Sequence, residues 1–176
     1  MGKVSIKTER EIALMRESCR IVADVLALVG ANVRSGVYTR ELDHIAEDYI
    51  RSKGATPAFK GYGSDRHNLF PSTLCISIED EVVHGIPNGR RLEEGQVVSV
   101  DVGVKKNGYF GDGARTFAVG RTSHEKQRLL KITEESLYKG IEKAKAGNHL
   151  HDVSSAVQQY VEGAGFSVVR DLVGHG

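Results

Sequence analysis

Residues 97–119, VVSVDVGVKKNGYFGDGARTFAV, predict a β-hairpin around which the rest of the chain is arranged. Valines alternate with small or polar residues over positions 98–104, which is the period of a strand with one buried face. Asn107-Gly108 is a strong signal for a two-residue turn. With that turn as the loop, Asp101 and Asp112 are diagonal neighbours on one face, with Cβ atoms closer than about 7–8 Å.

The two aspartates suggest a site for one or two cations. Like charges held this close are unfavourable unless a cation or a proton lies between them. Asp112 also lies between Gly111 and Gly113, and two glycines let other backbone or a ligand approach closely. The alternative is that Asp101 and Asp112 are solvated charges on the exposed face of an ordinary hairpin, and the hairpin alone leaves both interpretations open.

Composition limits the classes of protein and of partner. A chain of 176 residues is long enough for one substantial core, and we expect a single domain over residues 1–176. Its 24 basic and 23 acidic residues are interspersed, which disfavours nucleic acid and membrane surfaces as partners. Cys19 and Cys75 form no CxxC motif and suit reduced thiols. Residues 1–6 lack an apolar signal region and no transmembrane run follows, so we expect a cytoplasmic protein.

Hydrophobic periodicity and capping signals predict helices before and after the hairpin. Two short strands, residues 73–78 and 82–84, are predicted to precede it. Before the hairpin, one helix is predicted to open at a Thr8–Glu11 capping box and end near Gly30, and a second to follow Thr39 and end before Gly54. After the hairpin, a third helix is predicted to open at a Thr122–Glu125 capping box and to be stopped by Gly147, and a fourth to run through residues 153–161.

The sequence also contains an internal repeat. A shift of 111 positions, without a gap, moves Gly36, Tyr49 and Gly54 onto Gly147, Tyr160 and Gly165. We therefore predict two related halves, about 1–119 and 120–176, with the helices at 39–53 and 150–164 related by a pseudo-twofold rotation. The second half has no counterpart of the hairpin, so we expect the chain to be a fragment.

Three further motifs accompany the two aspartates. They are His84-Gly85-Ile86-Pro87, Gly61-Tyr62-Gly63 with Phe70-Pro71-Ser72, and Gly174-His175-Gly176. Each motif is weak alone, because a glycine-flanked histidine more often serves its own loop or lies in an exposed tail. As a set in this order, however, the motifs resemble the type I methionine aminopeptidases.

The resemblance extends over residues 5–176 and implies the fold, the activity and the cofactor. The fold would be the α+β pita-bread (creatinase/aminopeptidase-like) fold, with duplicated halves around an antiparallel sheet and an incomplete second half. The activity would be removal of the N-terminal methionine from nascent peptides in the cytoplasm, with ribosome association as a further expectation. The cofactor would be two divalent metal ions, Co, Mn, Fe or Zn, which activate a shared water.

The resemblance also assigns roles to individual residues. It makes Asp101 and Asp112 metal ligands, with Asp101 chelating one ion and Asp112 bridging both, and His175 a ligand of the other ion. His84 would be the catalytic histidine that contacts the substrate and handles protons. The apolar slot for the methionine side chain would be formed by Phe59, Tyr62, Phe70 and Cys75. For Phe59 and Cys75, packing in an ordinary core is nearly as good an interpretation.

The sequence departs from the family pattern in three places. In the family, two glutamates and a further histidine that complete the site lie C-terminal to the GHG motif, and the sequence has no residues at those positions. We therefore expect this chain to bind divalent metal poorly and to hydrolyse Met-peptides feebly. Residues 63–70 predict a longer loop than the family usually has, and Glu79 occupies a position where asparagine is more frequent in the family.

The strands missing from the second half would also leave apolar surface exposed at residues 98–104, which would favour association. A proline-specific aminopeptidase and a non-catalytic binding protein of the same fold remain as alternatives.

Overall fold

The structure is a computed structural model that describes residues 4–65, 68–172 and 174–175. The chain divides into two compact units, one up to Thr122 and one from Ser123 onward. The first unit contains α1 (Glu9–Asn32), α2 (Thr39–Ser52), β1 (Thr56–Pro57), β2 (Leu74–Ile78), β3 (Val97–Lys106) and β4 (Tyr109–Ala118), and the second contains α3 (His124–Lys143) and α4 (Leu150–Gly163).

The predicted hairpin is confirmed, and it forms the centre of an antiparallel sheet. β4 pairs with β3 along its whole length, and β2 and β1 pair with different parts of β3. Lys106 opposes Tyr109, so the loop consists of Asn107 and Gly108. Both loop residues are left-handed, with φ of 52° and 83°, as a type I′ turn requires. The turn therefore sets the register of the hairpin.

The valine face of β3 packs against the two helices of this unit. Val98, Val100, Val102 and Val104 are fully buried and belong to the same core as residues of α1 and α2. The expectation of exposed apolar surface at residues 98–104 is therefore wrong. The alternation that makes β3 a strand also directs all four valines to the helix face, so the opposite face carries small and polar residues instead.

The predicted end of α1 is confirmed, whereas α3 begins one residue later than predicted. The Thr8–Glu11 capping box is confirmed, and α1 ends at Asn32, near Gly30. Gly30 packs against the Phe117 ring, where a Cβ would overlap. The N-cap of α3 is Ser123 and not Thr122, because the Ser123 hydroxyl accepts the amide proton of Lys126.

One predicted boundary and one predicted strand are wrong. α3 ends at Lys143, before Gly147, which lies in the following turn with φ of 92°. Residues 82–84 form no strand. The outer edge of β2 is hydrogen bonded to the Gly85 carbonyl and the Glu81 carboxylate.

The sequence repeat is visible in the local geometry of α2 and α4. Their first and last residues are both separated by 111 positions, as 150 − 39 and 163 − 52 give. Each helix is followed by a left-handed glycine, Gly54 with φ of 65° and Gly165 with φ of 81°. The same spacing relates two tyrosine–carboxylate hydrogen bonds, Tyr49 to Asp24 at 2.9 Å and Tyr160 to Glu135 at 2.7 Å. The pseudo-twofold relation of the halves stays a prediction.

Among the described helices, none has both the length and the apolar character needed to span a membrane.

Candidate metal and substrate site

Asp101 and Asp112 lie on one face of the hairpin, as predicted. Asp101 opposes Ala114 and Asp112 opposes Gly103, so the two carboxylates are diagonal neighbours. This face, called the aspartate face below, is the one turned away from the buried valines. Asp101 is half-buried and Asp112 is exposed. The sheet thus places the Asp101 carboxylate nearer the protein interior and the Asp112 carboxylate nearer the solvent.

Cys75 lies beside Asp101 on the same face, because the two residues are in register between β2 and β3. Its thiol is buried, with 6% of the residue exposed. Burial and then the charges of Asp101 and Asp112 raise the pKa of Cys75 to about 12. The thiol is therefore neutral at physiological pH, and the same negative charge that keeps it protonated favours a bound cation.

The donors at this position fit part of a ligand set for a divalent metal. Carboxylate oxygens are hard ligands suited to such ions, and Asp101 and Asp112 offer them from one face. Across residues 4–65, 68–172 and 174–175, no three His, Cys, Asp or Glu side chains are grouped so as to hold an ion. The described part of the chain thus supplies a carboxylate pair.

Phe59 reaches the aspartate face from β1. The amide of Ala58 donates to the Gly103 carbonyl at 2.8 Å, which ties the end of β1 to β3. A Cβ on Gly103 would overlap the Phe59 ring, so the ring lies directly on this glycine. Since Gly103 shares its face with Asp101, Phe59 covers the sheet next to the carboxylate pair.

Tyr62 and Phe70 are brought together by the loop that follows β1. The Phe70 amide donates to the Tyr62 carbonyl at 2.9 Å, and the Gly61 amide donates to the Phe70 carbonyl at 2.8 Å. Phe70 is half-buried, whereas 78% of Tyr62 is exposed. The predicted long loop at 63–70 falls partly on residues 66 and 67, which lie outside the described residues.

His84 lies in the segment after β2 and is exposed. Its backbone is left-handed, with φ of 61°, which is uncommon for a residue with a Cβ. The residue borders a cleft of about 250 Å³. The other residues that line this cleft are Thr39, Ile76, Ile78, Glu81, Ile86, Asn88 and Arg90.

His175 belongs to the second unit, where it is exposed. Val173 and Gly176, on either side of the described pair 174–175, lie outside the described residues. The assignment of His175 as a metal ligand therefore stays a prediction.

Sequence reasoning missed two carboxylates on α2 that organise the loops around this face. Asp43 is buried and accepts the amide protons of Thr73 at 3.0 Å and Leu74 at 2.8 Å, at the start of β2. Burial raises the pKa of Asp43 although both hydrogen bonds oppose the shift. The signal was the position of Asp43 beside the inward-facing Leu42, where a charged residue is rarely buried without partners.

Glu47, one turn further along α2, binds the residue that follows Phe59. Its carboxylate accepts from Lys60 Nζ at 2.6 Å, from Arg51 Nη2 at 2.7 Å and from the Thr73 hydroxyl at 3.3 Å. The Lys60 hydrogen bond, assisted by Arg51, lowers the pKa of Glu47 to about 2. α2 thus fixes both the Phe59 side and the Cys75 side of the aspartate face.

Comparison with known proteins identifies the family. Residues 13–176 match the model of metallopeptidase family M24. A methionine aminopeptidase of Clostridium perfringens is 52% identical over 174 residues, which are 98% of this chain and 68% of that protein. This chain belongs to metallopeptidase family M24. The family has the pita-bread fold and implies divalent metal ions as cofactors, although their number and identity are not fixed by membership.

Solved structures of the family have the same fold. The crystal structure of a methionine aminopeptidase from Thermotoga maritima matches 99% of this chain and 68% of its own, with a TM-score of 0.94 and 38% identity. A prolidase from Pyrococcus furiosus matches 91% of this chain and 44% of its own, with a TM-score of 0.79 and 24% identity. At that identity the prolidase shares the fold alone, so the proline-specific alternative is not favoured.

Proposed function

We propose that this chain removes the N-terminal methionine from peptides as a metal-dependent aminopeptidase, at the low rate expected from its sequence. The observation that supports the proposal is the pair Asp101 and Asp112 on the aspartate face, in a chain 52% identical to a methionine aminopeptidase. The reaction type and the substrate are inferred from the relatives, which are methionine aminopeptidases. The residues that would carry the reaction come from the arrangement around the carboxylate pair.

Asp101, Asp112 and His175 would hold the metal, and we propose two ions chosen from Co, Mn, Fe and Zn. Divalent ions lower the pKa of a bound water and polarise a peptide carbonyl. Asp101 is supported by its central strand, where the flanking valines are fully buried and restrict its motion. Asp112 lies on β4 between two glycines that pack closely on α1 and place the strand against it. The hairpin therefore presents the carboxylates on a rigid element.

Phe59, Tyr62, Phe70 and Cys75 would form the slot for the methionine side chain. Phe59 covers Gly103 beside the carboxylates, and the Cys75 thiol, with its pKa of about 12, is neutral. Both would present apolar or polarisable surface to a thioether. His84, whose side chain is exposed, would contact the substrate and transfer a proton during cleavage.

The cellular context is part of the proposal. The substrates would be nascent peptides, met in the cytoplasm and near the ribosome. The free thiols of Cys19 and Cys75 agree with a reducing compartment.

The proposal is tested by measuring methionine release from a Met-Gly peptide with added Mn or Co. The Clostridium perfringens relative serves as the positive control for the assay. Because both carboxylates would hold metal, we expect Asp101→Asn and Asp112→Asn each to reduce release by at least about 100-fold. The matched control is Asp48→Asn, which changes an exposed aspartate on α2 and should leave release unchanged.

A Leu-Gly peptide and an Xaa-Pro peptide measure specificity in the same assay. Release from either at the rate found for Met-Gly contradicts the substrate assignment. Equal release by Asp101→Asn and the unsubstituted chain contradicts the metal assignment.

A further inference from the structure

The segment that carries His84 is attached to the outer edge of β2. Three amide groups of β2 point away from β3, and each has an acceptor at 2.8 Å. They are Leu74 to the Asp43 carboxylate, Ile76 to the Gly85 carbonyl and Ile78 to the Glu81 carboxylate. The middle bond joins β2 to the residue that follows His84.

Ser77 makes a second bond to the same residue from the aspartate face. Ser77 opposes Ser99 two positions from the Cys75–Asp101 pair, so its side chain lies on the aspartate face. The residue is 4% exposed, and its Oγ accepts the amide proton of Gly85 at 3.1 Å. Gly85 is thus bonded through its carbonyl to the strand backbone and through its amide to a buried hydroxyl.

Gly85 packs directly against the backbone of β2. A Cβ on Gly85 would overlap the Ile76 carbonyl oxygen, so the segment touches the strand directly. His84 has the left-handed φ of 61°, a conformation that persists in a residue with a Cβ only when the surroundings hold it. The peptide group joining His84 to Gly85 is the one that Ser77 binds.

We propose that Ser77 is a positioning residue for His84. Its hydroxyl fixes the His84–Gly85 peptide and so sets the direction in which the imidazole meets a substrate. The inference rests on the proposed function, which gives His84 its role. The neighbouring Ser99 does not share this role, because its hydroxyl pairs with the Thr116 hydroxyl at 2.8 Å within the sheet.

The test compares Ser77→Ala and Ser77→Thr with a matched control, Ser18→Ala. Ser18 is also a fully buried serine of this unit whose hydroxyl bonds a backbone group, the Tyr109 carbonyl at 2.9 Å. Loss of one hydrogen bond to the His84 segment should lower kcat for a Met-Gly peptide about three- to tenfold, with KM changed less than about twofold. The Gly85 amide should exchange its proton about tenfold faster.

Ser77→Thr retains the hydroxyl and should restore kcat and slow Gly85 exchange, whereas Ser18→Ala should leave both unchanged. A second variant, Gly85→Ala, disrupts the same attachment from the other partner. Its added Cβ would displace the segment from β2 and break both the Ile76 and the Ser77 bonds, so Ser77→Ala should cause no further loss of kcat in the Gly85→Ala background. Additive effects, an unchanged Gly85 exchange rate in Ser77→Ala, or an unchanged kcat despite faster exchange would each overturn the proposal.

Failure of the proposed function is distinguishable from failure of this inference. If the Clostridium perfringens relative releases methionine and the unsubstituted chain does not, the proposed function fails for this chain. The NMR signals of the His84 ring then decide the inference, measured without metal in the folded chain. A shift of these signals in Ser77→Ala but not in Ser18→Ala supports positioning by Ser77, and identical signals in all three proteins overturn it.

Discussion

Gly111 shows how a single residue fixes α1 against the hairpin. A Cβ at this position would lie 2.6 Å from the backbone nitrogen of Cys19 and 2.7 Å from the Ser18 carbonyl carbon. Because the neighbouring atoms are helix backbone, they cannot turn aside as a side chain would. The glycines beside Asp112, interpreted from sequence as places of close approach, therefore accommodate α1 on the face opposite the carboxylate.

We predict that Gly111→Ala lowers the free energy of unfolding by about 2 kcal/mol or more, through overpacking. The control is Gly163→Ala at the end of α4, where no heavy atom lies within 4 Å of the added Cβ and the backbone φ is not left-handed. That substitution should be neutral or stabilising by up to about 1 kcal/mol. Urea unfolding of the three proteins measures both changes, and equal stabilities would contradict the packing argument.

At the same scale, residue roles could be predicted from sequence only where local pattern determines them. Asp101 and Asp112 were placed correctly because a period-two strand and an Asn-Gly turn fix the register without further information. Ser77 and Asp43 were not recognised, because their partners, Gly85 and the start of β2, depend on how separate segments pack. The packing of Gly30 against the Phe117 ring was not recognised for the same reason.

At the scale of elements, α2 is connected to the loops of the candidate site by Glu47. Its pKa is lowered to about 2 from an ordinary 4.5, so the folded state favours the charged form. The resulting stabilisation is complete above about pH 4.5 and is lost as the pH falls towards 2. Glu47→Gln should therefore cost about 1–2 kcal/mol at pH 7, because the partners Lys60 and Arg51 are themselves partly exposed.

The same variant should flatten the acid limb of the stability curve. Below about pH 2 the unsubstituted protein and Glu47→Gln should have similar free energies of unfolding, since Glu47 is then protonated. Denaturant titrations from pH 7 to pH 2, with Asp48→Asn as the control on the same helix, measure this difference. A difference that stays constant across the whole range would show that charge at Glu47 is not its cause.

One helix start and one strand were predicted wrongly, at Thr122 and at residues 82–84. Thr122 and Ser123 are adjacent residues that can both cap a helix, and only the backbone path decides which hydroxyl meets the first amides of α3. Residues 82–84 contain β-branched valines that favour a strand, but β2 binds its edge partners through a single carbonyl and a carboxylate. Tertiary context therefore overrode local propensity in both places.

For the whole molecule, the repeat gives the clearest link between sequence and fold. The separation of 111 positions recurs in helix bounds, in the left-handed glycines that follow, and in the Tyr49–Asp24 and Tyr160–Glu135 hydrogen bonds. An amphipathic pattern alone would not reproduce a paired side-chain contact between helices. What the sequence could not establish is the contribution of His175, because it depends on contacts beyond its own segment.

The two units differ in how much of their helices is buried, and this difference leads to the last prediction. In α1 the buried residues include Ile21, Val22, Val25 and Val29, which belong to the core that also contains the β3 valines. Among the described residues of the second unit, the buried ones are Ser136, Gly140 and Val161. Leu137 and Ile141 on α3 are 57% and 55% exposed.

An amide exchanges its hydrogen through local unfolding where that unfolding exposes little buried apolar area, whereas an amide in the core exchanges only when the whole unit unfolds. We therefore expect the amides of α1 and β3 to exchange at least about tenfold more slowly than those of α3 and α4. Hydrogen exchange followed by mass spectrometry resolves the two sets within one sample, so pH and temperature are shared. Equal protection of amides in both units would mean that α3 and α4 are stabilised by more than the side chains buried within their own unit. The exposed Leu137 and Ile141 would then be the first side chains to test by substitution with serine.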